Sequence, residues 1–249
     1  MTIIRSSTVK KDPQFTPSDL KNDVQVRSFL EFRATGKISF NNLLMLGFKS
    51  ALFDIPMSVF RYWPGVLGMK LRQILYSILL KEMGKNVLIG HATEISYPKA
   101  IMLAEHCFID HHVTMDALFG GITVGKRVHI APYAIITGVG HVTIEDYVGI
   151  GAFARIYSHS EAPMDGKRLC GPMIPEEMKG MITAPVIIQK DALIGTGAVV
   201  LPGAFIGEGA IVAANSLVPA NTIVQPWTIV AGIPAKFVGL RKKVVVPDI

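Results

Sequence analysis

From Ile188 to Val230 an aliphatic residue falls at every sixth position: Ile188, Ile194, Val200, Ile206, Val212, Val218, Val224 and Val230. A helix repeats its apolar face every 3.6 residues and a half-buried strand every two, so neither alone produces this beat. With about a quarter of positions Ile, Leu or Val, eight hits in one register have a chance on the order of 10⁻⁵. Four residues after each of the first seven stands a small residue: Ala192, Ala198, Ala204, Ala210, Ser216, Thr222 and Thr228. Six is three times two, so a short strand that bends once per repeat accounts for both columns. Strand side chains alternate faces, and the small residue and the aliphatic two positions later then point the same way. Gly195, Gly197, Pro202, Gly203, Gly207 and Gly209 mark the bends. One hexad cannot bury its inward side chains alone, but stacked hexads bury one another's. The spacing predicts a triangular β-helix with three hexads to each coil.

The beat continues upstream in broken form, through Ile144, Ile150 and Ile156, then Val124, Ile130 and Ile136, with weaker pieces at Ile109–Met115 and Ile89–Ile95. Its inward partners are Thr93, Val113, Val128, Ala134, Val148 and Ala154. The register slips around "TGVGHV", and again over the irregular stretch between Ile156 and Ile188. Solenoid insertions map to loops on one face, often the working one, which makes this stretch the first place to look for chemistry. Leu193, Val199, Phe205, Ile211, Leu217, Ile223 and Ile229 precede inward positions and should point outward. Read as one column, they suggest a surface buried against another copy.

Half of the 249 residues are hydrophobic, which excludes global disorder. Cys107 and Cys170 lie far apart without metal-type spacing, so no disulfide framework is indicated and a reducing cytoplasm fits. The opening residues have no apolar core and do not read as a signal peptide. Leu43–Phe60 is apolar but broken by Lys49, Asp54 and Pro56, a poor transmembrane span. Leu67, Leu71, Ile74, Leu75, Ile78 and Leu79 make a helical stripe, with Gly84 as its expected C-cap. That stripe reads as a helix capping the open end of the solenoid. The sharper alternative is peripheral membrane association through residues 40–83, at the inner face of the membrane. Residues 1–36 read as polar and mobile. The net charge of +6 suits an anionic partner, yet no nucleic-acid motif is present, so a phosphorylated small molecule is the economical choice. The domain reading is an N-terminal extension over residues 1–85, a β-helix over 86–240 with a loop insertion at 159–185, and a basic tail over 241–249.

The segment "ITAPVII" through "PWTIVAGIPAKFV" resembles the C-terminal coils of left-handed β-helix hexapeptide-repeat acyltransferases. Within that superfamily it looks most like saccharide O-acetyltransferases of the maltose, galactoside, nodulation-factor, colanic-acid and lipopolysaccharide type. The resemblance implies a left-handed parallel β-helix with an N-terminal helical extension, a homotrimer with sites between subunits, and acetyl-CoA as acyl donor without a metal. It also implies a histidine base just before the long loop, which is His159 in "ARIYSHSEAP". A side chain titrating near neutrality suits proton removal from an attacking hydroxyl. Glu161, Glu176, Glu177 or a backbone carbonyl would then hold the other ring nitrogen.

Carried over the same way, Thr196 would stabilise the oxyanion, and Gly197, Ala198 and Ala214 would line the pantetheine arm. Lys236, with Arg241 to Lys243, would hold the coenzyme phosphates. Pro219-Ala220 departs from the Thr-Lys pair common in relatives and removes one expected coenzyme contact. His141 is the second-choice base or a substrate contact, and Asp116 a candidate acceptor contact that could equally cap a corner. His111-His112 look like metal ligands, but no third ligand stands at sensible spacing, and His91, His106 and His129 read as corner residues. The leading expectation is O-acetylation of a small-molecule or lipid-linked saccharide. Its alternatives are N-acetylation of a nucleotide-linked amino sugar and a non-catalytic trimeric platform.

Overall fold

The computed structural model describes residues 24–162, 166–171 and 174–248. From Glu82 onward the chain winds into a parallel β-helix of three faces. Face 1 begins at Glu82–Met83 and carries seven strands. Face 2 begins at Leu88–Ile89, and its last parallel strand, Thr228–Ala231, is closed by the antiparallel strand Lys236–Leu240. Face 3 begins at Glu94–Ser96 and carries six strands. The first coil therefore starts four residues before the boundary drawn from the sequence.

Both predicted columns point into the prism. Ile188, Ile194, Val200, Ile206, Val212 and Val218 are fully buried, and Ala192, Ala198, Ala204, Ala210 and Ser216 are buried beside them. The upstream partners Thr93, Val113, Val128, Ala134, Val148 and Ala154 are buried as well. Such a core is filled to its walls, so even one methylene matters. Ile150→Val is expected to cost roughly 0.5–1.5 kcal/mol, read from the denaturant midpoint at unchanged slope.

Each corner holds one residue in the left-handed backbone region. At the edge between faces 2 and 3 these are Ala92, His112, Tyr133, Phe153, Gly197 and Asn215. Gly209, at the edge between faces 1 and 2, needs glycine twice over: its φ is +63°, and a Cβ there would strike the Trp227 ring.

The slips in the beat have one physical meaning. In the strict C-terminal coils Ile187 pairs with Phe205, and Phe205 with Ile223, a step of one eighteen-residue coil. The earlier coils are longer, and their extra residues fall at the edge where face 3 returns to face 1. Residues 97–100, 117–121 and 138–141, and then the long insertion after Tyr157, all stand on that edge. One edge is ragged and the other two are smooth.

The outward apolar residues do not form a single column. Leu193, Ile211 and Ile229 lie on face 2, Val199 and Leu217 on face 3, and Phe205 and Ile223 on face 1. Eighteen residues return to the same face, whereas six move on to the next. No one planar contact could cover all seven.

Among the described residues four helices precede the coils: α1 (Val24–Thr35), α2 (Phe40–Lys49), α3 (Ile55–Tyr62) and α4 (Gly65–Leu79). A π-turn over Ser50–Asp54 joins α2 to α3. α1 falls within the span expected to be mobile, and residues 1–23 lie outside the described residues. α4 packs on the first coil, but only in part through the predicted stripe: Leu79 meets the core, and Leu71 and Leu75 are half-buried. It buries Gly68, Arg72 and Tyr76, while Leu67, Ile74 and Ile78 are exposed. Nor is Gly84 its cap: the helix ends at Leu80, and Gly84 sits against the Ala104–Glu105 backbone inside the first coil.

Candidate functional site

The ragged edge gathers most of the chemistry. Register pairs Asp116 with Thr137 and Thr137 with Tyr157, so Asp116 sits one rung beneath Thr137 on the outside of face 3. Two residues after Tyr157 comes His159, whose Nδ1 lies 3.3 Å from the Thr137 hydroxyl. The predicted base thus touches a threonine on the coil below, not a glutamate. Glu161 points outward from the strand His159–Glu161, which pairs antiparallel with Met181–Thr183 at the base of the insertion. Glu177 is exposed in the turn Glu176–Met178, and the side chain of Glu176 lies outside the described residues.

Ser158 holds this corner together. Its buried hydroxyl donates to the Thr137 carbonyl at 2.7 Å and accepts from the Gly140 amide at 2.9 Å. That clamp ties the residue before His159 to the residue before His141, and it brings both imidazoles to one edge. His141 in turn lies 3.3 Å, through Nε2, from the Thr123 hydroxyl. Asp116 accepts from the Leu118 amide, the corner-capping role foreseen for it, with its second carboxylate oxygen still on the edge. Sequence reasoning missed Thr137 and Ser158. The available signal was positional: Thr137 directly follows the inward Ile136, and Ser158 comes two after the inward Ile156, both at the return to face 1 where neighbouring coils carry their extra residues.

Next to the hairpin a cleft opens between α1 and the insertion, lined by Phe29, Phe32, Arg33, Cys170, Lys179 and Met181. Two of its lining residues are aromatic and two are basic.

The residues assigned to the acyl donor stand elsewhere. Thr196 and Ala214 are exposed on the edge between faces 2 and 3, one coil apart in the same register. Face 3 separates that edge from His159 within one chain. Ala198 is a correction: its side chain is fully buried, its amide donates to Gly195, and its carbonyl accepts from Arg155. It therefore offers a coenzyme no side-chain surface. Gly197 keeps its place for backbone reasons, because its φ is +70° and the Asn215 side chain fills the space of a Cβ.

Lys236 is exposed on the closing strand. Arg241 belongs to the third edge, between faces 1 and 2. It donates to the carbonyls of Asp191 and Gly209 at 2.6 and 3.1 Å, with its guanidinium over Trp227. That commitment makes it a strap for the last coils and corrects its reading as a free phosphate ligand.

His91, His111 and His112 belong to a ladder of stacked rings. His112, Tyr133 and Phe153 lie ring on ring at 4.9 Å spacing, and His111 stacks on His91. Asp110 accepts from the His111 amide, and its carboxylate lies 2.7 Å from His111 Nδ1 and 3.5 Å from His129 Nε2. Burial works against its charge, yet these contacts hold its carboxyl below the usual range. His129 lies on a face 2 strand against Phe108 and not at a corner. Burial, and then the neighbouring His111 and His112, push the His91 pKa down. Among the described residues no group of three or more His, Cys, Asp or Glu is placed to hold a metal ion.

A three-faced parallel β-helix of hexads, with loops and imidazoles gathered on one edge, defines a hexapeptide-repeat protein. A family model described as the hexapeptide repeat of succinyl-transferase matches residues 185–220. The dTDP-4-amino-4,6-dideoxy-D-glucose acyltransferase of Escherichia coli is 35% identical over 118 residues, covering 47% of this chain and 61% of that protein. A variant of AntD, an N-acyltransferase from Bacillus cereus solved with dTDP and coenzyme A, is 30% identical. It covers 69% of this chain and 90% of its own, with a TM-score of 0.63. AntD solved with dTDP and 3-hydroxybutyryl-CoA is 28% identical, covers 73% of this chain and 90% of its own, and has a TM-score of 0.64. The chain belongs to the hexapeptide-repeat acyltransferases. These relatives are N-acyltransferases or act on an amino sugar nucleotide, so weight moves from saccharide O-acetylation to the N-acetylation alternative.

Proposed function

We propose that this chain transfers an acyl group from acyl-coenzyme A to the amine of a nucleotide-linked amino sugar, with dTDP-4-amino-4,6-dideoxyglucose as the acceptor type. The observation that carries this reading is the clustering of His159, Thr137, His141 and Asp116 on one edge of a coil that shares its fold with AntD. In the proposed step the sugar nitrogen attacks the thioester carbonyl, and a C–N bond forms as the C–S bond breaks. His159 accepts the proton that the nitrogen must shed and returns it to the departing thiolate. Thr137 fixes the ring through Nδ1 and leaves Nε2 for the proton. Asp116, a rung below, supplies a carboxylate to a cationic or hydroxyl-bearing acceptor. The cleft between α1 and the insertion offers the exposed rings of Phe29 and Phe32 to a base.

Thr196 and Ala214 lie across face 3 from His159. The donor therefore reaches the base only where the donor edge of one copy meets the ragged edge of another. A homotrimer with sites between copies satisfies that requirement, with Lys236 of the donor edge reaching the coenzyme phosphates.

The test is thiol release from acetyl-CoA and from longer acyl-CoAs, measured against the amino nucleotide sugar, its 4-hydroxy counterpart and free saccharides. Turnover should require the amine and the nucleotide together. Release with a hydroxyl acceptor and none with the amine would return the chain to the O-acetyltransferases.

A further inference from the structure

The helical cap leaves much of its aliphatic surface in water. A helix lying on a protein core ordinarily turns its aliphatic stripe inward and its charges to water. α4 keeps to this only in part: Leu79 packs on the core and Leu71 and Leu75 are half-buried, while an arginine takes the centre of the inward face. Gly68, Arg72 and Tyr76, spaced i, i+4 and i+8, face the first coil, and the Arg72 guanidinium is spent on backbone carbonyls of Ile89, Phe60 and Trp63. Leu67, Ile74 and Ile78 face outward at 60%, 62% and 68% exposure. Lys70 is exposed and shares that outward face by helical spacing, and Lys81 is exposed just past the helix end. α2 adds a second outward row, Phe40, Leu44 and Phe48, at 76%, 63% and 69% exposure.

The charge of the region is as lopsided as its hydropathy. From Lys37 to Lys81 the sequence holds six basic residues and one acid, Asp54; Arg72 is buried and Arg61 lies beside Glu94, which leaves Lys37, Lys49, Lys70 and Lys81 as the cations toward water. An apolar surface fringed by cations, with almost no acid to neutralise them, complements anionic headgroups lying over acyl chains. A second copy would bring the same positive charge to a face-to-face contact and be repelled. No described helix is long and apolar enough to cross a membrane, so the contact is with the surface.

We propose that the outward faces of α2 and α4 seat this protein on an anionic membrane surface. The aliphatic and aromatic side chains enter the boundary between headgroups and acyl chains, and the lysines meet lipid phosphates. This goes beyond the acyl-transfer reading and does not rest on it, because its readout is binding and not turnover.

The full chain is mixed with vesicles of phosphatidylcholine alone, or with a third phosphatidylglycerol, and the bound fraction is measured by flotation. Binding should require the anionic lipid and weaken with salt. Lys70→Gln and Lys81→Gln should each weaken it about fivefold. Phe40→Ser with Phe48→Ser should weaken it at least tenfold. Light scattering and circular dichroism on each variant check that assembly and fold are kept. No binding to either vesicle overturns the proposal. So does an oligomer that falls apart in the Phe40→Ser/Phe48→Ser variant without any vesicle binding by the parent, which would make this face a contact between copies.

Discussion

His159→Ala is expected to lower kcat/KM for the amino nucleotide sugar by about 10²-fold at neutral pH, the lower end of what a positioned base contributes. The low end follows from the nucleophile. An amine attacks unaided once it has lost its own proton, whereas a hydroxyl needs that proton removed as it attacks. The deficit should therefore shrink as pH rises and the amine arrives deprotonated. A pH profile of kcat/KM for parent and variant checks this. An equal loss at every pH would make His159 a binding residue, and undiminished turnover would remove it from the reaction. Thr137→Val, which keeps the shape and deletes the hydroxyl beside Nδ1, should reproduce part of the loss in kcat with KM little changed. A merely structural threonine would not split the constants that way.

The prism was legible because its signal is redundant. A hexad places one small and one aliphatic residue inward, and stacked coils repeat the requirement until chance is excluded, as Ala192, Ala198 and Ala204 show beside Ile188, Ile194 and Val200. Where the site lies was half legible. The slips at "TGVGHV" and after Ile156 could be seen, but not that they share an edge, because that needs the register Val142 to Val186 across the insertion. Thr137 and Ser158 escaped for a related reason. Their roles come from the coil above or below, 18 to 22 residues away, and no local pattern announces such a contact. Ala198 failed the other way: a contact carried over from resemblance ignored that the residue already filled an inward position. The six-residue spacing of the outward apolars misled in the same manner, since six residues turn a third of the way round a prism.

The helices were harder. A stripe at i, i+3 and i+4 says which side of a helix is apolar, and a core was assumed to lie on that side. α4 shows that the assumption can hold only in part when a buried cation finds enough acceptors. Gly68 lets the helix approach the Trp63 carbonyl, where any Cβ would collide, and Arg72 then reaches the same carbonyl one turn on. The sequence offers no sign of this, because an arginine among leucines reads as a surface residue.

Arg72→Met is expected to be the most destabilising single change in the cap, at about 1–3 kcal/mol for a buried carbonyl left unpaired. Only 2% of the residue is exposed, and burial pulls its pKa below the ordinary arginine value. Its guanidinium donates to Ile89 at 2.9 Å, Phe60 at 3.1 Å and Trp63 at 2.8 Å, which ties α3, the Trp63–Pro64 turn and the first coil together. Methionine matches much of the volume but supplies no donor, so these carbonyls would be left buried and unpaired. The loss should be local before it is global. Hydrogen exchange should rise first in α3, α4 and the Leu88–Ile89 strand, while Leu193–Val212 stays protected, because solenoid coils stabilise only their neighbours. Uniform loss of protection along the whole prism would show instead that the cap and the coils unfold as one unit. A denaturation midpoint equal to that of the parent would show that water or a shifted backbone satisfies the three carbonyls.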